Sequence, residues 1–386
     1  MPSAVCCYSG TERARPAPRR RRLKDGADNG RTGRVVHDQA RAADSFEEAF
    51  VPGRAPDPGT TRVGAANGCP GCGSTQVRTL CSGEDFLYRS TERTFLFVEC
   101  EECRMVRLYP RPEPEEIRRY YPAALTENES ACATSKLSRF AQRLLKRGHV
   151  LFVRQAVKSV PWDGPVLDVG CGTGRFLREL NLPQRRLVGL DFSVDAAAEA
   201  WACNAVPAVC GALTSAPFAA GRFAAITMFQ VLEHLYDPSA YVLAAAQLLH
   251  PAGRLIVQVP NAGAWQFLLF GEHWSGLDIP RHLLLFHVRD LDNLLDYCGF
   301  EVVRRKRFSL PDDPATLITS LAPALNPKVR RVRGVEENDV AAIVKHLLFG
   351  LLWLLALPIA AIESACNGGA SLIVEARLKR PAAGPA

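Results

Sequence analysis

The segment from Val166 to Phe176, with the sequence VLDVGCGTGRF, constrains the fold of this chain more than any other segment. Its first residues predict a buried strand, and Gly170, Gly172 and Gly174 predict a tight turn that leads into a helix. Glycine lets the backbone turn sharply and approach a ligand closely, and the start of a helix offers free N–H groups. The segment therefore predicts a nucleotide-like ligand at the carboxyl end of a strand.

Strands and helices alternate around this segment. Apolar periodicity predicts strands near residues 165–169, 187–191, 206–210, 223–229, 253–260, 301–308 and 371–378. The predicted helices lie near residues 135–160, 174–181, 194–203, 237–250 and 288–298. This alternation predicts an α/β fold with a Rossmann-like, seven-stranded sheet that helices cover on both faces.

An acidic residue after the second strand narrows the class of ligand that this loop can bind. Asp191 follows Asp168 by 23 residues, where a carboxylate can accept hydrogen bonds from both ribose hydroxyls of a nucleoside. A dinucleotide oxidoreductase would carry G-x-G-x-x-G, but this loop is one residue shorter and Asp168 precedes it. The pattern D-x-G-x-G-x-G resembles motif I of the class I S-adenosylmethionine-dependent methyltransferases.

The resemblance implies a set of cofactor-binding residues. In that family the glycine loop approaches the methionine part of S-adenosylmethionine, and the acid after the second strand holds the ribose. Phe192 is then expected beside the adenine. Carried over to this sequence, the cofactor-binding residues are Asp168, Gly170, Cys171, Gly172, Gly174, Asp191, Phe192, Leu213 and Gln230.

The resemblance extends to two later segments and has two departures. Residues 229–235 and 249–261 resemble the ends of the family's fourth and fifth strands. Many relatives place an acid after the third strand to meet the adenine amino group, but Gly211-Ala212-Leu213 stands there, so backbone atoms would have to make that contact. The acid that often begins the fourth strand is Ala224.

Four of the thirteen cysteines form two Cys-x-x-Cys pairs. They are Cys69 with Cys72 and Cys100 with Cys103, and 27 residues separate Cys72 from Cys100. Four thiolates form the closed tetrahedral coordination of structural zinc, which stabilises folding and leaves no open position for catalysis. Two disulfides or unrelated thiols are the alternative. A zinc ribbon followed by motif I resembles one branch of the methyltransferase superfamily, and that resemblance covers residues 66–379.

Two regions offer candidates for catalysis. Glu233 and His234 follow the fourth strand, whose end faces the cofactor cleft. His282 and His287 follow the fifth strand, where this superfamily places substrate-binding residues, in a Trp/Pro-Arg-His segment similar to one in the zinc-ribbon branch. A histidine in these places can act as a base or contact the substrate. The alternative is that these histidines cap a helix or lock a loop.

The chain divides into six predicted regions. They are a disordered leader or over-extended gene start (1–65), a zinc-ribbon module with its linker (66–125), the methyltransferase domain (126–310), a hydrophobic helical insertion (311–370), the last strand of the sheet (371–379) and a tail (380–386).

The apolar run at residues 347–362 bears on membrane contact. Its sixteen residues, which Pro358 interrupts, are fewer than the ~20 that span a bilayer. A single crossing would also separate the last strand from the sheet. Two interpretations stay open: a helix packed on the domain or on a second copy in a homodimer, or an interfacial helix beside anionic lipid, which the basic residues Lys328 and Lys345 favour.

These features together predict methyl transfer from S-adenosylmethionine to a small-molecule, glycan or lipid-linked acceptor, at oxygen. The alternatives are an RNA methyltransferase that uses the ribbon, and a non-catalytic S-adenosylmethionine-binding or scaffold protein. Of the net charge of +7, residues 1–65 carry +4, so the folded part lacks the basic footprint of a nucleic-acid binder. Polar residues after the arginine run indicate no secretory signal and favour a cytoplasmic protein, free or peripheral at the inner face of the membrane.

Overall fold

The computed structural model describes residues 60–62, 68–121, 136–334 and 339–379. The strands are β1 (Thr60–Arg62), β2 (Gln76–Gly83), β3 (Phe95–Cys100), β4 (Val106–Tyr109), β5 (Val166–Val169), β6 (Leu187–Asp191), β7 (Ala208–Cys210), β8 (Phe223–Phe229), β9 (Leu249–Pro260), β10 (Leu284–Leu285), β11 (Phe300–Lys306) and β12 (Ser371–Leu378). The helices are α1 (Lys136–Lys158), α2 (Arg175–Leu180), α3 (Val194–Asn204), α4 (Pro238–Leu248), α5 (Trp265–Phe270), α6 (Val288–Tyr297), α7 (Asp313–Leu321), α8 (Pro327–Val332) and α9 (Asp339–Ala365).

The larger sheet confirms the predicted Rossmann-like fold. Its seven strands run in the order β11-β12-β9-β8-β5-β6-β7. The five strands β5 to β9 pair in parallel, and β12 is antiparallel to both β9 and β11. The chain order reverses at β5, which lies between β6 and β8, so the crevice at the carboxyl ends of these strands is the expected ligand site.

Local sequence explains why the parallel strands and their helices form. The first six residues of β8 are all buried, which is typical of a strand covered by helices on both faces. Ser193 caps α3 by accepting a hydrogen bond from the N–H of Ala196, and Asp237 caps α4 in the same way. Pro238 occupies the first turn of α4, where its fixed φ suits the helix.

A second, antiparallel sheet contains the paired cysteines. Its strands run in the order β1-β2-β3-β4-β10. Strand β10 comes from the segment after the fifth parallel strand, and Leu284 pairs with Arg107 of β4. Phe95 and Phe97 of β3 are fully buried and belong to the same apolar core as the parallel sheet. The predicted ribbon module is therefore not a separate unit, because β10 and a shared core join it to the larger domain.

The insertion before the last strand contains α7, α8 and α9. Helix α9 has 27 residues, so it extends beyond the predicted apolar run at both ends. Residues Val340–Ala365 are long and apolar enough to cross a membrane by length and composition, and only 6% of that window is buried. The prediction from residues 347–362 that this helix is too short to cross a bilayer is therefore wrong. The topological objection stands, because β12 returns to the sheet directly after α9.

The predicted N-terminal regions differ in part from the structure. Thr60–Arg62 were expected in a disordered leader, but they form β1, which pairs with β2 along the edge of the smaller sheet. The remainder of the predicted leader up to residue 65, residues 122–125 of the predicted linker and the tail at 380–386 lie outside the described residues.

Candidate functional site

The loop after β5 requires its three glycines. Gly170, Gly172 and Gly174 have φ values of 71°, 51° and 69°, which side chains with a Cβ rarely adopt. A Cβ on Gly170 would lie 2.8 Å from Val231, and one on Gly174 would lie 3.1 Å from Ala200, so both glycines also allow close packing. A Cβ on Gly172 would meet open space, which is where a ligand can approach the backbone.

Asp191 lies directly against this loop. Its carboxylate accepts hydrogen bonds from the backbone N–H groups of Gly172 and Ser193, each at 2.9 Å. Phe192, the next residue, leaves 70% of its surface exposed beside the cleft. The structure therefore brings together the glycine loop, the predicted ribose-binding acid and an apolar ring.

Asp168 lies within the core. Its carboxylate accepts a hydrogen bond of 2.5 Å from the hydroxyl of Thr227 on the neighbouring strand β8. Burial raises the pKa of this carboxyl to about 7. The contact ties β5 to β8 beneath the loop, so Asp168 supports the position of the loop.

The remaining predicted cofactor-binding residues lie around the same crevice. Cys171 and Leu213 have buried side chains, and Leu213 begins a short 3-10 helix after β7. Gln230 follows β8 with a φ of 55°, is exposed, and donates its backbone N–H to the carbonyl of Gln258 on β9. Because the side chain of Leu213 is buried, the expected contact of this segment with adenine would have to come from backbone atoms.

Three of the four candidate catalytic residues meet in one cluster. Glu233 and His234 lie in the 3-10 helix after β8, and the segment after β9 brings His282 to them. One ligand atom from each side chain lies within 4.8 Å of the others. Neither carboxylate oxygen of Glu233, which is fully buried, has a hydrogen-bond partner in another described residue. Burial raises the pKa of this carboxyl to about 8.

Hydrogen bonds fix both imidazole rings of the cluster. Nδ1 of His234 lies 3.0 Å from the carbonyl oxygen of Arg281, and Nδ1 of His282 lies 2.9 Å from that of Gly276. Because a carbonyl only accepts, each Nδ1 carries a proton and each Nε2 has a free lone pair. Burial lowers the pKa of both rings, that of His282 to about 3, so both are neutral.

His287 lies outside the cluster. It is the N-cap residue of α6, where Nδ1 lies 3.0 Å from a carboxylate oxygen of Asp290. The backbone N–H of His287 also donates to Asp290, which completes a reciprocal cap. Strand β10 lies between His282 and His287 in the sequence. His282 therefore lies in the cluster, whereas His287 lies at the start of α6.

Tyr121 is a residue of the site that the sequence did not indicate. Its hydroxyl oxygen lies 3.0 Å from Nδ1 of His234, and its ring lies edge-on to Phe192 with the centroids 6.2 Å apart. Burial raises the pKa of Tyr121, so the hydroxyl keeps its proton. The ring thus links the exposed Phe192 to the cluster, whereas its sequence context beside Tyr120 and Pro122 indicated only a turn.

The loop that carries His282 is held by a buried arginine. Arg281, only 2% exposed, donates to a carboxylate oxygen of Asp85 and to one of Asp278, each at 2.8 Å. Trp274 of the same loop is buried and packs against the ring of Phe267. Arg281 and Trp274 therefore hold this loop in place.

The four paired cysteines form one group in the smaller sheet. The sulfur atoms of Cys69 and Cys103 are 3.4 Å apart, and those of Cys72 and Cys100 are 3.5 Å apart. Four sulfurs around a zinc ion are about 3.8 Å from one another when each bond is about 2.3 Å. Burial opposes ionisation of Cys100, but backbone N–H groups outweigh it and lower the pKa of this thiol to about 7. The donor set and its spacing fit a zinc ion.

Known proteins resemble the part of the chain that forms the parallel sheet. A family model described as a methyltransferase domain matches residues 125–305. A probable S-adenosylmethionine-dependent methyltransferase of Mycolicibacterium smegmatis is 32% identical over 165 residues, which are 41% of this chain and 59% of that protein.

Two further relatives carry more specific names. A demethylmenaquinone methyltransferase of Mycolicibacterium paratuberculosis is 37% identical over 117 residues, 30% of this chain and 50% of the relative. A ubiquinone biosynthesis O-methyltransferase of Cereibacter sphaeroides is 32% identical over 142 residues, 34% of this chain and 56% of the relative. The chain thus spans between 50% and 59% of the length of these three relatives.

Proposed function

We propose that residues 125–305, which match the methyltransferase-domain family model, bind S-adenosylmethionine, and that this protein transfers a methyl group to a hydroxyl oxygen of a small-molecule, glycan or lipid-linked acceptor. One observation carries the proposal. Asp191 lies 2.9 Å from the Gly172 N–H, at the crevice where the strand order reverses. The cluster of Glu233, His234 and His282 adjoins that crevice at the end of β8.

The described residues fit S-adenosylmethionine. The carboxylate of Asp191 is positioned to accept hydrogen bonds from the ribose, and Phe192 offers an exposed ring to the adenine. Because Gly172 has no side chain and faces open space, the methionine part of the cofactor can lie close to its backbone. When bound, this cofactor supplies a methyl group on a positively charged sulfur, which a nucleophile can displace.

The acceptor hydroxyl is assigned to the cluster after β8. Methyl transfer needs the acceptor oxygen in line with the methyl group, and a hydroxyl must lose its proton as it attacks. The two neutral imidazoles present lone pairs at Nε2, and Tyr121 joins this cluster to the proposed adenine side of the cleft. Oxygen as the acceptor atom agrees with the name of the O-methyltransferase relative.

An apolar or lipid-linked acceptor is favoured by helix α9. Large apolar residues cover its surface and are 42–70% exposed: Val340, Ile343, Val344, Leu347, Leu348, Leu351, Leu354, Leu355, Ile359 and Ile362. Only a narrow face, which includes Ala356 and Ala360, is buried. Such a surface is costly in water, and it is stabilised when it lies in the interfacial region of a bilayer.

The topology and nearby charges are consistent with peripheral contact. Glu363 and Ser364 at the end of α9 are buried, and Glu363 accepts hydrogen bonds from Gln266. The helix is thus anchored on the domain and would lie along a membrane without crossing it. Helix α8 carries Lys328 and two arginines, which suit an anionic lipid surface.

Calorimetric titration with S-adenosylmethionine tests whether the protein binds this cofactor. We expect binding by the wild type, a loss of at least about tenfold in affinity for Asp191→Ala, and unchanged binding for Asp195→Ala, whose exposed carboxylate lies in the first turn of α3. No binding by the wild type would overturn the proposal.

A second measurement tests turnover. Methyl groups labelled in S-adenosylmethionine are followed into a panel of small hydroxylated molecules, glycans and lipid-linked acceptors. Methylated product supports the proposal, and the class that reacts identifies the acceptor. Cofactor binding without product from any class would support the scaffold alternative, and nucleic acid that co-purifies and dissociates with salt would support an RNA substrate.

A further inference from the structure

We propose that Glu233, His234 and His282 form a second metal site, which binds a divalent cation of the Mn²⁺, Fe²⁺, Co²⁺ or Zn²⁺ type. One oxygen and two nitrogen donors suit these ions, whereas the four thiols of the smaller sheet favour a softer, thiolate-binding ion such as zinc. Three protein ligands also leave positions open on the ion, which the four-cysteine site does not.

The first support is the unpartnered carboxylate of Glu233. The side chain has no solvent exposure, and neither of its oxygens has a hydrogen-bond partner in another described residue. Buried polar groups in folded proteins are almost always paired, and an unpaired buried carboxylate is strongly destabilising. A bound cation supplies the missing partner.

The second support is the orientation of the two rings. His234 and His282 each donate Nδ1–H to a backbone carbonyl, at 3.0 Å and 2.9 Å, and so keep Nε2 deprotonated. A metal-binding histidine is usually held in this way, by a hydrogen bond from its other ring nitrogen. The ring centroids lie 4.7 Å apart, so the two imidazoles are direct neighbours in the cluster.

The third support is the spacing of the donor atoms. They lie within 4.8 Å of one another, and donors about 2.1 Å from a shared ion lie about 3–4 Å apart. The donor atoms therefore lie somewhat farther apart than they would around a bound ion, and ion binding requires these side chains to draw together. The nearby charges favour a cation as well, because Asp278 lies 4.0 Å from Nε2 of His282 while Arg281 is neutralised by Asp85 and Asp278.

The cation site does not depend on methyl transfer, but its role does. If the proposed function holds, an open position on the cation would take the acceptor oxygen and lower the pKa of its hydroxyl. The proton would pass to solvent water, since Nε2 of both histidines would bind the cation, and the O–CH₃ bond would form as the sulfur of S-adenosylmethionine leaves as a neutral thioether. The acceptor would then be an alcohol or phenol that can also bind a metal.

Manganese binding to the full chain, loaded with a single zinc ion per chain, tests the proposal, because Mn²⁺ prefers oxygen and nitrogen donors to thiolates and the four cysteines retain the zinc. Loss of the free-ion signal in electron paramagnetic resonance measures binding without cofactor or acceptor. We expect one ion per chain in the wild type and in His273→Ala, an exposed histidine. Affinity should fall at least tenfold in His282→Ala and in Glu233→Gln.

Glu233→Gln keeps the size of the side chain and prevents it from becoming a carboxylate ligand, so it tests the site even if His282→Ala fails to fold. A wild type that binds no Mn²⁺, or a Glu233→Gln variant that binds it as the wild type does, would overturn the cation site. Mn²⁺ binding by a chain that shows no S-adenosylmethionine binding would instead overturn the proposed function and leave the cation site intact.

Discussion

The guanidinium of Arg281 donates to the carboxylate of Asp85 at 2.8 Å, and both side chains are almost completely buried. Asp85 follows β2 in the cysteine-containing sheet, while Arg281 lies in the segment after β9 and directly precedes His282. The pair therefore joins the smaller sheet to the loop that carries a site residue. This contact gives the cysteine-rich part of the chain a positioning role at the candidate site.

Removal of this ion pair should destabilise the protein strongly. Arg281→Met leaves Asp85 and Asp278 without their buried partner, and the expected loss is about 3–5 kcal/mol in the free energy of unfolding. Arg377→Met, which breaks the exposed pair with Glu301, should cost less than about 1 kcal/mol. Urea denaturation measures both, and equal losses would contradict a structural role for Arg281.

Tyr121 should affect turnover more than cofactor binding. Tyr121→Phe removes the hydroxyl 3.0 Å from His234 but keeps the ring against Phe192. We expect kcat to fall about tenfold, with the Kd for S-adenosylmethionine unchanged. Tyr297→Phe, on an exposed ring, should change neither. An unchanged kcat in Tyr121→Phe would exclude the hydroxyl from the reaction.

Asp313 should make stability depend on pH. Burial raises the pKa of its carboxyl from 3.8 to about 7, so the unfolded chain loses this proton before the folded protein does. The free energy of unfolding therefore falls as the pH rises between these values.

Asp313→Asn removes this dependence. Relative to the wild type, the variant should gain about 2–3 kcal/mol in the free energy of unfolding between pH 5 and pH 8. Urea denaturation at the two pH values checks this, with Asp163→Asn as a control because that carboxylate is 88% exposed. A constant difference between Asp313→Asn and the wild type would show that Asp313 does not titrate differently on folding.

Helix α9 should bind anionic vesicles. The double variant Leu347→Glu, Leu354→Glu places charges on its exposed apolar surface, and we expect it to abolish co-sedimentation with vesicles that contain phosphatidylserine. Leu243→Glu, on the exposed surface of α4, should bind as the wild type does. A wild type that does not sediment but forms a dimer, which the double variant disrupts, would instead indicate a second copy as the partner of α9.

The four cysteines should hold one structural zinc ion. Cys69→Ser removes one ligand, and we expect zinc content to fall and the thermal unfolding temperature to drop. Cys366→Ser, an exposed free thiol outside the group, is the matched control. Zinc content that stays equal in all three proteins would refute the ribbon.

Much of the fold follows from local sequence patterns. The glycine spacing and the alternation of apolar strands and helices predicted the parallel sheet. The sequence also placed Asp191 at the end of the second strand, but its hydrogen bond with the Gly172 N–H was not predicted. The two Cys-x-x-Cys pairs likewise predicted a single group of four thiols. Each of these features depends on backbone geometry within a short stretch of chain, or on a spacing that its metal or ligand requires.

Only the tertiary structure decided how the distant segments meet. Asp85 and Arg281 are 196 residues apart, and Tyr121 and His234 are 113 residues apart, so no local pattern relates them. The two residues of β10 are too few to show a strand period, yet their pairing with β4 separates His282 from His287 and sends only His282 into the cluster. The apolar run of α9 was evident in the sequence, but its exposure depended on which face α7 covers. Packing between remote segments therefore determined the membership of the site, because burial and charge pairing arise only once those segments are in contact.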